Sequence, residues 1–433
     1  MAGKYHYISA LAEMTAADIV KNENEWTRFL TTAARLYKYP FNEQMLIYAQ
    51  RPDATACASL ETWNEKMNCW VNRGAKGIAL IDTDSERPRL KYVFDVSDVH
   101  KARRIGRDPY LWELREEHKA PVLAQLEKTY GATDVNMPFE ERVMEIADRI
   151  VQDYYEELLP ELNYVKEGSF LDDLDELNLG IRWRETLASS ISFTLLSRCG
   201  ADMDLWKDDM NFEYIHEFNN TKSLAVIGNA TTEMCKPLLM EIGRTIGAYE
   251  RQIARQNASN KAREKAAGEH IGSHEEKVEK GLANAPEADY NALNRESETA
   301  IDKPKETENH TEMEALPMKL TYEKNGDYLI PNLTANKEPE QALTKYGLMR
   351  KNFLKEHRRG IYQGMILTGE LKAHCLQVQE QAEQRMELLT GQMAKAEGVN
   401  GELKAADQMS WVVKMNNIRH SAEEIVLTEL IYI

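Results

Sequence analysis

Apolar residues recur at three- and four-residue spacing in Trp26, Phe29, Leu30, Ala33, Ala34 and Tyr37, which predicts a helix opening near Asn24. Tyr39-Pro40 ends it, because the residue before proline avoids the helical region. A second helix is expected over residues 41–50, closed by Arg51-Pro52-Asp53. A third, over residues 59–66, would be capped by Ser59. Strands are expected at residues 70–71, 78–81 and 91–96, with residues 85–89 as a turn. Residues 1–24 read as a loosely held polar lead-in, and residues 98–137 as a connector.

From Pro138 the helical period dominates. Phe139, Val143, Ala147, Ile150, Tyr154 and Leu158 form one stripe that Pro160 should end. Further helices are expected over residues 181–199 and 231–246. Residues 249–316 lose apolar periodicity and read as a flexible linker, helical at most to about Lys265. Order resumes at Pro317-Met318 with a hairpin around Asn325-Gly326, a pair suited to a tight turn. A basic helix follows over residues 346–357. A long one carries Leu371, Cys375, Val378, Ala382, Met386, Leu389 and Met393 and stops at Gly398; one or two more run to Tyr432. The expectation is an α+β protein: a lead-in (1–24), an α+β domain (25–107), an acidic helical domain (108–248), a linker (249–316) and a mostly helical domain with a short hairpin at its start (317–433).

Apolar residues make up 42% of 433, enough for real cores. The net charge of -17 argues against general attraction to nucleic acid or membranes, yet the charge is unevenly spread. Residues 25–107 carry 14 Lys and Arg against 10 Asp and Glu, net +4, whereas residues 138–248 carry 10 against 22, net -12. Five cysteines without a C-x-x-C pair support neither a disulfide framework nor a zinc ribbon, which fits a reducing cytoplasm. No basic-then-apolar opening suggests a signal peptide, and no apolar run approaches a membrane-spanning length. His270 and His274 flank Gly272 in the linker and make a poor metal pair. No cofactor, metal or membrane partner is expected, and oligomeric state is not legible.

Single-stranded nucleic acid is held by cations on phosphates and aromatic faces on bases. The opening domain offers Arg35, Lys38, Arg51, Arg73 and Lys76 with Trp63 and Trp70. Gly74 and Gly77 would let backbone approach a phosphate closely. The same residues admit a plainer reading, with Trp26, Phe41 and Trp63 in the core and Arg73 to Gly77 a solvated turn. Lys101, Arg103, Arg104 and Arg107 form either a phosphate track or a solvated connector. Lys345, Arg350, Lys351, Lys355, Arg358 and Arg359 surround Glu356 and give either a DNA-facing or a solvated helix face.

Two resemblances carry these residues further. Trp26 to Tyr37, Ala49-Gln50-Arg51-Pro52-Asp53-Ala54, Trp63-Asn64 and Trp70-Val71-Asn72-Arg73-Gly74-Ala75-Lys76-Gly77-Ile78 resemble the ArdC-type antirestriction N-terminal domain. That module binds single-stranded DNA and heads helicase and DNA-methylase proteins of conjugative elements. A weaker likeness runs to about Tyr249. Gly326-Asp327-Tyr328-Leu329-Ile330-Pro331-Asn332-Leu333, Lys404 to Trp411 and Met415 to Ile425 are similar to the transposon-encoded TnpV family. Met318 stands where the second module would begin, so the chain reads as a fusion. Neither a G-x-x-x-x-G-K-[ST] loop, a methylase motif nor H-E-x-x-H is found. The resemblances imply a non-enzymatic accessory protein of a conjugative transposon, binding single-stranded DNA. A protein-interaction adaptor or homodimer, and the severed head of a helicase or methylase, are the competing expectations.

Overall fold

The computed structural model describes residues 6–83, 89–101, 111–275 and 318–433, without the side chains of residues 261–275. The expected turn over 85–89, all but its last residue, lies outside the described residues, as do Arg103, Arg104, Arg107 and residues 276–317; so do the side chains of His270 and His274. The chain forms two units: residues 1–245 with 316–433, and residues 246–315.

The expected lead-in is a packed element. Strand β1 (His6–Tyr7) runs into helix α1 (Ile8–Ile19), whose Ile8, Leu11, Ala12, Ala16 and Ile19 are buried. Small and polar neighbours dilute that stripe in the sequence. Helix α2 (Glu23–Arg35) is capped by Asn22, whose side chain accepts the Glu25 N–H at 3.0 Å. Helix α3 (Phe41–Gln50) follows Pro40 as expected. The aromatic residues of α2 and α3 join: Phe29 stacks on Trp26 at 5.3 Å and meets Phe41 and Tyr48 edge-on at 5.7 and 5.5 Å.

Next come β2 (Cys57–Ser59), β3 (Cys69–Val71), β4 (Ile78–Asp82), β5 (Arg89–Asp95) and β6 (Val99–Lys101). They form an antiparallel sheet in the order β2-β5-β4 and a separate pair, β3-β6. The Gln50 side chain clamps β4 to α3, donating to the Ala79 carbonyl and accepting the Ala79 N–H, both at 2.8 Å. The Ser59 hydroxyl accepts the Thr62 N–H at 3.2 Å, so the expected cap forms, although a strand precedes it.

The expected connector contains α4 (Glu116–Tyr130), held by buried Val122, Leu123 and Leu126. Helix α5 (Phe139–Val165) passes through Pro160 instead of stopping there. Burial of Glu161, Leu162 and Val165 beyond the proline outweighs the hydrogen bond it forfeits. Helix α6 (Glu176–Cys199) packs along α5 and α2, with Trp26 Nε1 donating to the Ser190 hydroxyl at 3.0 Å. Helix α7 (Thr221–Glu275) absorbs the expected helix over 231–246 and continues into the second unit, where residues 251–260 are exposed. Gly228 of α7 seats the Phe41 ring, and a Cβ there would come within 2.0 Å of it.

The C-terminal part opens with β7 (Tyr322–Asn325), β8 (Tyr328–Pro331) and β9 (Leu333–Thr334). Gly326 takes φ +63° in the hairpin turn between β7 and β8. Helices α8 (Lys345–His357), α9 (Arg359–Thr368), α10 (Leu371–Ala396), α11 (Gly401–Ala406) and α12 (Gln408–Val426) follow. Strand β9 pairs in parallel with β1. Helix α9 is buried from Gly360 to Leu367 and touches α1, α3 and α5. Gln363 of α9 donates to Asn229 Oδ1 at 2.6 Å and accepts the Asn42 N–H at 3.1 Å. Gly360 and Gly364 bring its backbone close to Val226 and Lys222. Helix α9 therefore packs the last part of the chain onto the first, while α8, α10 and α12 also close an apolar cluster of their own around Tyr346, Val378, Ala382 and Ala422.

Candidate nucleic-acid interface

Strand β3 follows Asn68, a non-glycine residue at φ 51°. Its alternation buries Cys69 and leaves Trp70 52% exposed. Trp70 lies opposite His100 of β6, which places the two on one face. Asn72 continues that face, its Oδ1 2.7 Å from His100 Nδ1. A turn follows, in which the Ala75 N–H reaches the Asn72 carbonyl at 3.1 Å and Gly74 adopts φ +82°. Arg73 and Lys76 point outward from it and are exposed. Trp70, Arg73, Gly74 and Lys76 thus lie on one strand and the turn that follows it, with His100 and Asn72 beside Trp70.

The amides of this turn are engaged by the hairpin. The Gly74 N–H donates to the Asp327 carbonyl at 2.6 Å, and the Gly77 N–H to the Leu329 carbonyl at 2.7 Å. Leu329 returns its N–H to the Ala75 carbonyl at 2.8 Å. Tyr328 meets Phe94 edge-on at 5.1 Å, and buried Gly77 lies against the same Phe94 ring. Arg73 Nε lies 3.4 Å from the Asp327 carboxylate, and Lys76 Nζ lies 5.0 Å over the Tyr322 ring. The Gly74, Ala75 and Gly77 amides are therefore engaged within the protein, while the Arg73 and Lys76 side chains are exposed.

The remaining expected residues of the opening domain do not join one groove. Arg35 donates to the Ala54 and Pro52 carbonyls at 2.8 and 2.9 Å, and burial lowers its pKa from the usual value. It pins the loop after α3. Arg51 pairs with Asp98 and donates to the Ser97 hydroxyl at 2.8 Å. Trp63 is buried, its Nε1 donating to the Phe94 carbonyl at 2.9 Å. Lys38 is exposed, 5.6 Å over the Tyr37 ring. Burial pushes the Asp95 carboxyl up, but hydrogen bonds from Ser97, Thr55 and Ala56 outweigh it and hold it below the usual range.

The basic cluster of the C-terminal part divides in the same way. Arg350 is 1% exposed and donates to the backbone oxygens of Ile431 and Ile433 at 2.8 and 2.7 Å. Arg358 and Arg359 lie beyond α8. Arg359 pairs with Glu233 at 2.7 Å. Arg358 acts on Glu161, which accepts the Ile361 and Gly360 N–H groups at the start of α9. Burial nonetheless raises the Glu161 pKa. Lys351 is half-buried and Lys355 exposed, so the six cations do not form one DNA-facing surface.

A cleft of about 590 Å³ lies where β4 meets α8, α9 and α10, lined by Ile81, Asp82, Lys351, Tyr362, Ile366 and Cys375 among others. Burial pushes the Cys375 thiol up to about 11, so it is protonated at neutral pH. No group of three or more His, Cys, Asp or Glu among the described residues is placed to hold a metal ion. No described helix is long and apolar enough to cross a membrane.

Asn72 was findable at two-residue spacing from Trp70 on a strand. His100, Tyr322 and Asp327 reach the site from distant sequence and leave no local signal.

In class, then, the molecule is an α+β protein whose helical C-terminal part packs onto its N-terminal part beside a small cationic face. Residues 321–431, 111 of the 433, match the family described as transposon-encoded protein TnpV. They carry a TnpV domain, which marks the protein as transposon-associated. No curated protein and no solved structure matches the chain, and the ArdC-type resemblance of the opening domain draws no support from these comparisons.

Proposed function

We propose that this protein is a non-enzymatic, cytoplasmic accessory protein of a mobile element. It binds single-stranded DNA during transfer or maintenance of a conjugative transposon. The observation that carries this reading is Trp70, an indole half open to solvent on a strand that leads directly to exposed Arg73 and Lys76. An aromatic face beside cations is the chemistry that takes a base and its phosphates. The ArdC-type resemblance spans the same residues. With two cations the site is small, so binding is modest and salt-sensitive: log affinity falls with log salt at a slope near about -1.4, for roughly two phosphates. Titrating a fluorescent oligonucleotide against salt tests this. Arg73→Ala with Lys76→Ala must flatten the slope; an unchanged slope removes the assignment.

A second reading, a docking adaptor or homodimer, is favoured by Met409 and Val413, which α12 leaves 74% and 56% exposed. Light scattering across a concentration series, with no oligonucleotide shift, would select it.

A further inference from the structure

We propose that Asp327, at the tip of the β7-β8 hairpin, stands in for a nucleic-acid phosphate on the Arg73-Gly74 turn and holds the affinity of this face for single strands down. The inference rests on the reading of that face as a single-strand site.

A bound phosphate on such a turn would take a backbone N–H with one oxygen and a guanidinium with another. Asp327 supplies both acceptors. Its carbonyl takes the Gly74 N–H at 2.6 Å, and its carboxylate lies 3.4 Å from Arg73 Nε. The second cation is engaged by the same hairpin, since Lys76 lies over Tyr322. An incoming strand must displace the Asp327 carboxylate from Arg73 and approach a negative charge to do so.

The hairpin does not need that carboxylate to stay in place. The exchange between Leu329 and the Ala75 and Gly77 backbone fixes it, and Tyr328 packs on Phe94. The Arg73 and Asp327 side chains are 81% and 77% exposed, and a pair this open contributes little to stability. The carboxylate can therefore be altered while the turn keeps its shape.

The test uses the full chain and a labelled oligo-dT strand at low salt. Asp327→Asn keeps the backbone carbonyl and removes the charge. The dissociation constant should fall about three- to fivefold, the size of one exposed ion pair. Asp327→Ser should give the same gain and Asp327→Glu none. The gain must vanish in an Arg73→Ala background. If Arg73→Ala weakens binding while Asp327→Asn and Asp327→Ser leave it unchanged, this inference falls and the single-strand reading stands. If the gain persists without Arg73, it is a general charge effect and the inference falls. If Arg73→Ala with Lys76→Ala leaves affinity untouched, both fall together.

Discussion

Two stretches of this chain look alike in sequence and end in opposite places. Residues 73–77 and residues 350–359 both gather cations near glycine, and both read as phosphate-binding. In the first, Arg73 and Lys76 remain exposed and the backbone between them is engaged by the hairpin. In the second, Arg350 is buried against backbone oxygens, Arg359 faces Glu233 and Arg358 acts on Glu161. The cations are the same; the acceptors that the fold brings to them differ. A cation meeting several acceptors becomes part of the framework, and one left facing solvent stays available to a ligand.

Changes in the second stretch should act on stability and leave the DNA face alone. Arg350→Ala strands the Ile431 and Ile433 oxygens and opens space between α8 and the end of the chain that it holds, so it should cost about 3 kcal/mol or more by chemical denaturation. Loss of DNA affinity without loss of stability would reverse the assignment. Gly360→Ala sets a Cβ 2.8 Å from both Glu161 Oε2 and the Val226 backbone, and should cost about 2 kcal/mol at the seat of α9. A wild-type melting curve would show that α9 does not seat there.

Two buried carboxylates sharpen the contrast because their pH signs oppose. Asp95 has a depressed pKa, so its stabilisation is present above the unfolded carboxylate value of about 3.9 and is lost as pH falls through the lower folded value. Asp95→Asn should therefore cost about 2 kcal/mol at neutral pH, and the deficit should fade in strong acid. Glu161 has a raised pKa, so its contribution is full below the unfolded value of about 4.3 and is lost as pH rises through the folded one. Glu161→Gln should remove that mild-acid gain. Denaturation midpoints from pH 3 to 8 read both, and parallel profiles for the two variants would contradict the account.

The smallest structural effects belong to the first stretch. Arg73→Ala with Lys76→Ala should shift stability by less than about 0.5 kcal/mol, as surface substitutions do. It should still weaken oligonucleotide binding. A large loss of stability would mean that both side chains are structural.

Much of the fold was legible from period and punctuation. The stripe from Trp26 to Tyr37, the Ser59 cap, the strands around residues 78–81 and 91–96, and the Asn-Gly hairpin all form where local chemistry places them. The misses share a cause. Helix α1 and the last turn of α5 exist because distant partners bury Leu11, Ile19, Leu162 and Val165, and no local rule reports that. The site divides along the same line. Trp70, Arg73 and Lys76 stay exposed, and the two cations meet only the hairpin residues Asp327 and Tyr322 in the contacts described. Trp63, Arg35 and Arg350 were equally good candidates by residue type, and long-range contacts removed them.

Trp70 offers the most direct measurement, since it is exposed while Trp206 and Trp411 are half-buried and Trp26, Trp63, Trp112 and Trp183 are buried. Titrating oligo-dT at low salt should quench the intrinsic fluorescence. The quench should reverse with added salt and be lost in Trp70→Phe. Equal quenching in that variant, or none in the wild type, would contradict single-strand binding at this face.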